Sequence, residues 1–157
     1  MKIHLDTTYL LPLIGVDAEE IVKEDIERLF EDGNKLYVNQ ISVFELCAKG
    51  AKYVAKGVLP VERVIRGVNA LTYGEEFKLI SFSEAKVLEV SFKTRRFLND
   101  YIDCVILSSA VSKCDALVTE DEDILTLREN KEFLKLLEEI NSKFKILSLK
   151  ELLKEKF

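Results

Sequence analysis

Residues 103–123, DCVILSSAVSKCDALVTEDED, decide how this chain folds. From Tyr101 to Val111 the sequence is apolar almost all round, with small Ser108, Ser109 and Ala110, as in a helix packed inside a core. Ala116 to Val118 is a short run with no polar face, which reads as a central strand covered on both sides. Thr119 and the acids Asp121 and Asp123 follow immediately.

The same order, a short apolar run and then an acid at the start of a helix, occurs upstream. Lys2 to Leu5 reads as a strand leading into Asp6, and Thr7 to Ile14 as a brief helical piece that Pro12 kinks or ends. Asp17 and Glu20 have capping-box form, and Ile21, Ile26, Leu29 and Phe30 make a helical stripe up to Gly33. Leu36 to Val38 is a second strand. Ser42 then caps a helix to about Lys56 that carries Glu45, with Phe44, Cys47, Ala48, Ala51 and Ala55 available for its buried side.

Pro60 opens a further helix, with Val61, Val64, Ile65, Val68 and Leu71 at helical spacing and Gly74 as its stop. Strand Phe77 to Phe82, a helix over Lys86 to Phe97, and a restart at Asp100 complete the approach to Asp103. After Asp121 come a short helix around Ile124 to Arg128, a charged amphipathic helix over Lys131 to Ile140, strand Phe144 to Leu147 and a terminal helix. Strands separated by helices imply an α/β fold, a mainly parallel sheet in a three-layer α/β/α arrangement.

At 157 residues and 48% hydrophobic content the chain can bury one core, so a single domain over residues 1–157 is expected. Two prolines and six scattered glycines leave no hinge or low-complexity stretch. The first apolar stretch is broken by Asp6 and Pro12 and is too short to span a bilayer, which points to a cytoplasmic protein with no membrane role. Cys47, Cys104 and Cys114 are odd in number and lack CxxC spacing, which argues against zinc and disulfide roles and fits buried thiols best. A net charge of −5 argues against indiscriminate polyanion binding, so any nucleic-acid contact must be local.

Each of the acids Asp6, Glu45, Asp103 and Asp121 has a simple explanation as a cap. Ser42 with Glu45 is S-x-x-E, Asp100 with Asp103 is D-x-x-D, and Asp121 can cap a helix itself. Parallel strands, however, bring their C-terminal ends to one edge, where open α/β sheets place ligands. Two carboxylates ~4 Å apart repel by about 4 kcal/mol at an effective dielectric of ~20, more than a cap offsets. A divalent cation relieves that repulsion, and an all-oxygen donor set selects Mg²⁺ or Mn²⁺. Such a site hydrolyses phosphodiesters, with Asp6, Asp103 and Asp121 as ligands and Glu45 holding a second ion or orienting the attacking water. Lys49, Lys52 and Lys56 lie along one helix face beyond Glu45 and form a candidate stripe for substrate phosphates; Lys93, Arg95 and Arg96 form a second basic patch. His4, inside the first strand, is read as structural.

The segments IHLDTTYLLPLI around Asp6, NQISVFEL around Glu45 and DCVILSSAVSKCDALVTEDED, in this order, resemble the PIN-domain family of ribonucleases, which includes the toxins of VapBC-type pairs. The resemblance covers most of the chain. It implies a Rossmann-like sheet, divalent-metal-dependent cleavage of single-stranded RNA and frequent homodimerisation. It also implies supporting roles for the Thr7 and Thr119 hydroxyls and for Asp123, and an antitoxin partner that places an Arg among the acids. Two features depart from the pattern: Ile124 stands where many relatives have an aromatic, and the Lys131 to Ile140 helix extends the compact toxin form. Aspartyl phosphatases also begin with a strand and an aspartate but need a second Asp two positions on, where Thr8 stands here. A non-catalytic RNA- or protein-binding module is the other reading.

Overall fold

A computed structural model describes residues 1–18 and 23–155, and five strands among them form one sheet. These are β1 (Lys2–Leu5), β2 (Lys35–Asn39), β3 (Phe77–Ile80), β4 (Ala116–Val118) and β5 (Lys145–Leu147). Their order is β3-β2-β1-β4-β5 and every neighbouring pair is parallel. The chain steps outward from β1 to β3 and then resumes at β4 on the other side of β1. The strand order therefore reverses between β1 and β4, where open α/β sheets leave a crevice at their carboxyl ends.

The helices are α1 (Lys23–Glu31), α2 (Gln40–Ala55), α3 (Val61–Tyr73), α4 (Ala85–Thr94), α5 (Tyr101–Lys113), α6 (Glu122–Leu125), α7 (Lys131–Asn141) and α8 (Leu149–Glu155), with 3-10 segments at Thr7–Ile14 and Thr126–Glu129. Ile3, Leu5, Leu36, Val38, Ala116 and Val118 turn to one face of the sheet and pack with the Thr7–Ile14 segment, α1, α2 and α3. Leu117 and Ile146 turn the other way and meet α5 and α7. The result is three layers, α/β/α. The segment Cys104–Val111 of α5 is buried throughout, which is why its sequence has no polar face. On α7, Phe133 is fully buried, its ring edge-on to Phe97 with centroids 5.6 Å apart.

Several local expectations change. The Asp17–Glu20 capping box and Ile21 involve residues 19–22, which lie outside the described residues. The third strand stops at Ile80 instead of Phe82, and α4 ends at Thr94 instead of Phe97. Ser42 is not the cap of α2. Because β2 stays paired with β3 as far as Asn39 and Ile80, the turn into the helix falls at Asn39, whose side chain accepts the Ile41 N–H at 2.8 Å. Ser42 is carried into the first turn and buried.

The inward side of α2 also differs from the expected one. Ser42, Leu46 and Gly50 are buried, whereas Phe44 (68% exposed), Cys47, Ala48, Ala51 and Ala55 face outward. Close helix packing explains the choice: a Cβ on Gly50 would lie 2.4 Å from a Val64 methyl, and one on Gly67 of α3 would lie 2.2 Å from the Leu13 carbonyl oxygen. The small residues thus define the contact faces. Val61 and Ile65 of α3, expected inside, are exposed beside α2. Cys47 is an exposed thiol, unlike buried Cys104 and Cys114.

His4 lies in β1 opposite Tyr37 and Leu117, completely buried, and neither ring nitrogen has a hydrogen-bond partner among the described residues. Burial lowers its pKa from 6.5 to about 3. The unfolded chain takes up a proton near pH 6.5 while the folded chain does not, so this contribution to stability is complete above that pH and declines as pH falls towards 3. His4→Leu should therefore melt at an increasingly higher temperature than wild type as the pH is lowered from 7.5 to 5. A gap that is the same at both pH values would contradict the account.

Candidate active site

Leu5 pairs with Val118, so β1 and β4 end side by side, and each strand runs into acidic residues. The Asp6 N–H donates to the Val118 carbonyl at 3.1 Å. Its side chain is only 8% exposed. Oδ1 accepts the Thr7 N–H at 2.7 Å, and Oδ2 accepts the Thr119 hydroxyl at 2.6 Å. The Thr119 hydroxyl in turn accepts the Asp121 N–H at 3.0 Å, which fixes the turn leaving β4. Thr119 is thus a brace between the two central strands.

Asp121 does cap α6: its Oδ1 accepts the N–H groups of Asp123 and Ile124 at 2.8 and 3.2 Å. Glu45, in the second turn of α2, is half-buried, and its Oε1 accepts the Thr7 hydroxyl at 2.6 Å. That hydroxyl also touches Ser42 Oγ at 2.9 Å. Thr7 therefore joins the exit of β1 to α2, through its backbone to Asp6 and through its side chain to Glu45. Asp103 comes from the first turn of α5. Asp100 is the cap there, accepting the Ile102 N–H at 2.8 Å, and among the described residues the Asp103 carboxylate accepts no hydrogen bond.

The charges of these groups act on one another. Burial raises the Asp6 pKa most; the Thr119 and Thr7 hydrogen bonds oppose the rise, and the Asp121 charge adds to it. Glu45 is also raised, first by burial and then by Asp6 and Asp100, against the Thr7 hydrogen bond and the Lys49 cation. Asp103 is pushed up to about 7, by burial first and then by Asp121, Asp100, Asp6 and Glu45. The four expected acids thus share one electrostatic site, to which Asp100 also belongs. Asp123 is exposed and contributes a backbone N–H to the network.

Asn39, Ser42 and Asp100 have larger parts than their sequence positions indicated. Asn39 caps α2 and donates Nδ2 to Ser109 Oγ of α5 at 2.5 Å, tying the helix of Glu45 to the helix of Asp103. A polar residue at the last strand position is the signal that could have identified it. Glu120 accepts the Tyr9 hydroxyl at 2.6 Å and the Leu149 N–H at 3.0 Å, a structural link between the exit of β4 and α8. Lys49, Lys52 and Lys56 are exposed along α2. Lys93 pairs with Glu89 at 3.0 Å, Arg95 donates to the Leu98 carbonyl at 2.7 Å, and Arg96 lies 4.7 Å from the Phe97 ring centroid.

The donor chemistry fits a hard divalent cation: every candidate ligand is a carboxylate, two have raised pKa values through burial and like charge, and Asp103 reaches about 7. Among the described residues no three His, Cys, Asp or Glu side chains are grouped closely enough to hold one ion as they stand.

A raised carboxylate pKa has a definite effect on stability. Asp103 binds its proton more tightly in the folded chain than the ordinary 3.8, so its contribution is complete below that value and is lost as pH rises through about 7. In the presence of a chelator, Asp103→Asn should raise the melting temperature by about a few degrees at pH 8 and leave it unchanged at pH 4. Equal melting of the two proteins at pH 8 would contradict the electrostatic account.

No curated protein sequence matches this chain. Its fold is similar to one chain in the crystal structure of VapBC2 from Rickettsia felis bound to a DNA fragment from their promoter, with TM-score 0.58 and 18% identity over 92% of this chain and 97% of that one. The family model of the PIN domain matches residues 3–130, from β1 past Asp121. By that match, over far more than half of its length, the chain belongs to the PIN-domain family.

Proposed function

We propose that this chain, acting as one PIN-like domain over residues 1–157, is a divalent-metal-dependent endoribonuclease that hydrolyses phosphodiester bonds of single-stranded RNA. One observation supports the reading: Asp6, Glu45 and Asp103, from three separate segments, have raised carboxylate pKa values, through burial first and then through one another's charge and that of Asp121 or Asp100, as acids that share a cation would. Asp6, Asp103 and Asp121 would hold Mg²⁺ or Mn²⁺ directly or through water, and Glu45 would hold a second ion or orient the attacking water. When bound, the cation supplies a water of lowered pKa and neutralises charge on the phosphate.

The remaining work falls to the chain's own groups. Thr119 and the Thr7 N–H fix both oxygens of Asp6, so the central ligand enters the reaction without rotamer freedom to lose. Thr7 Oγ1 aims the Glu45 carboxylate, and Asn39 sets the separation of α2 and α5. Asp103, with no protein hydrogen bond among the described residues, is free to turn towards a cation, and a site titrating near 7 couples ion uptake to proton release. Asp123 is an accessory acid at the rim. Lys49, Lys52 and Lys56 would carry RNA phosphates along α2.

The VapBC-type setting adds partners. An antitoxin protein would quiet the site with a guanidinium among the acids, a fork that matches carboxylates. A second copy of the chain would cover the outward Phe44, Cys47, Val61 and Ile65, an apolar surface continuous across α2 and α3. Among the described residues no helix is long and apolar enough to cross a membrane, and the proposed setting is the cytoplasm.

A second reading, a non-catalytic RNA- or protein-binding module, is favoured by the lack of a ready-made cluster of metal ligands among the described residues. Cleavage of fluorescent single-stranded RNA with Mn²⁺ or Mg²⁺ separates the two. Wild type should cut only with metal, Asp6→Asn and Asp103→Asn should lose at least about 100-fold, and Thr119→Val about 10–100-fold. Undiminished cutting by both Asn variants would remove the site from the reaction. RNA binding without metal-stimulated cleavage would establish the second reading.

A further inference from the structure

The S-x-x-E spacing of Ser42 and Glu45 has no capping role once Asn39 caps α2. Ser42 is fully buried in the first turn of that helix, where a polar group without a partner is costly. Serines inside helices commonly return the hydroxyl to the carbonyl one turn back, as Ser109 does to Val105 at 2.8 Å. Ser42 does not. Among the described residues its one side-chain hydrogen bond crosses to the Thr7 hydroxyl, 2.9 Å away at the exit of β1. Thr7 is itself buried, and the same hydroxyl lies 2.6 Å from Glu45 Oε1.

The number of hydrogens fixes the direction of these bonds. A threonine hydroxyl has one proton, so Thr7 cannot donate to both neighbours. Its contact with Glu45 has the length of a charge-assisted O–H···O⁻ bond, and its contact with Ser42 that of an ordinary hydroxyl pair, so the Thr7 proton goes to the carboxylate. Ser42 then donates to Thr7, and the order runs from Ser42 Oγ–H to Thr7 Oγ1–H to Glu45 Oε1. Successive bonds of this kind polarise one another, and two buried hydroxyls in series hold the last acceptor in place. Glu45 Oε2 accepts no hydrogen bond among the described residues, so the relay fixes one oxygen of a half-buried carboxylate and leaves the other available to a ligand.

We propose that Ser42 is a positioning residue of the acidic site, whose hydroxyl commits the Thr7 proton to Glu45 Oε1 and so holds that carboxylate where it meets the cation or the water the cation binds. This role deepens the nuclease reading and rests on its metal. Ser42 touches neither metal nor substrate and acts only through Thr7. The competing account is that the bond merely fastens the Thr7–Ile14 segment to α2. Leu10 and Ile14 of that segment and Leu46 of α2 already belong to one buried cluster, so the fastening does not need a hydroxyl pair.

The test is the Mn²⁺ dissociation constant of the full chain by isothermal titration, with thermal melting in EDTA to verify folding. Removing a group that orients a metal ligand costs about 10–100-fold in affinity, so Thr7→Val should fall in that range and Ser42→Ala, one bond further out, should lose about tenfold. Ser42→Thr keeps the hydroxyl and should bind Mn²⁺ as wild type does. Ser42→Cys, similar in shape but a weak donor, should resemble the alanine variant and replaces it if that variant does not fold. In a Thr7→Val background, adding Ser42→Ala should cost nothing further. Unchanged Kd in Ser42→Ala, whatever its melting temperature, would make the bond purely structural, and independent losses from the two substitutions would break the route through Thr7. Either result overturns the relay and leaves the metal site intact. Ser42-dependent Mn²⁺ binding by a wild type that never cuts RNA would keep the relay and overturn the nuclease, whereas no Mn²⁺ binding by wild type would overturn both.

Discussion

The burial of the Asp6 carboxylate at the end of the central strand is the constraint around which the rest is arranged. A charge that is 8% exposed is costly unless its oxygens are bonded. Thr119 supplies one bond and the Thr7 N–H the other, and both depend on β1 and β4 ending in register, with Leu5 opposite Val118. That register exists because the sheet is parallel and the strand order reverses at this point. Moving β4 by one residue would turn Thr119 to the opposite face and leave Asp6 Oδ2 without its donor. Sheet topology and site chemistry are therefore the same requirement.

The central strands and α5 were legible because burial on both faces leaves an unmistakable pattern. Ala116–Val118 and Cys104–Val111 have no polar side, and no alternative packing suits them. The orientation of α2 was not legible. Its sequence offers one apolar stripe through Phe44, Cys47 and Ala51 and another through Ser42, Leu46 and Gly50, and hydrophobicity alone favours the first. Close approach favours the second, since α3 comes too near Gly50 to admit any side chain.

The common neighbourhood of the acids was legible, and the hydrogen bonds that wire it were not. Strand ends in a parallel sheet must share an edge, so the acids after them could be grouped from chain order alone. The hydrogen bond from Thr7 to Glu45 joins residues 38 apart, and that from Thr119 to Asp6 joins residues 113 apart; neither leaves a local signature. Capping was a partial guide. Asp100 and Asp121 do cap, but Asn39 displaced Ser42 because strand pairing with β3, a distant event, decides where α2 begins.

Two titratable groups, buried His4 and half-buried Asp103, oppose each other in their response to pH. His4 favours the folded chain in neutral or alkaline solution, while Asp103 favours it in acid. Neither is needed for a hydrophobic core, since an apolar residue at either place would bury as well. Their explanations differ. His4 lies within β1, turned to the α5 face of the sheet, where an uncharged ring fills space and is silent as long as it stays neutral. The charge of Asp103 is resisted by burial first and then by four neighbouring acids, a penalty that the proposed dication would relieve. If the proposed cation binds there, the repulsion among the acids is the same free energy that would favour its uptake, so the fold would hold its carboxylates together at a cost that binding recovers.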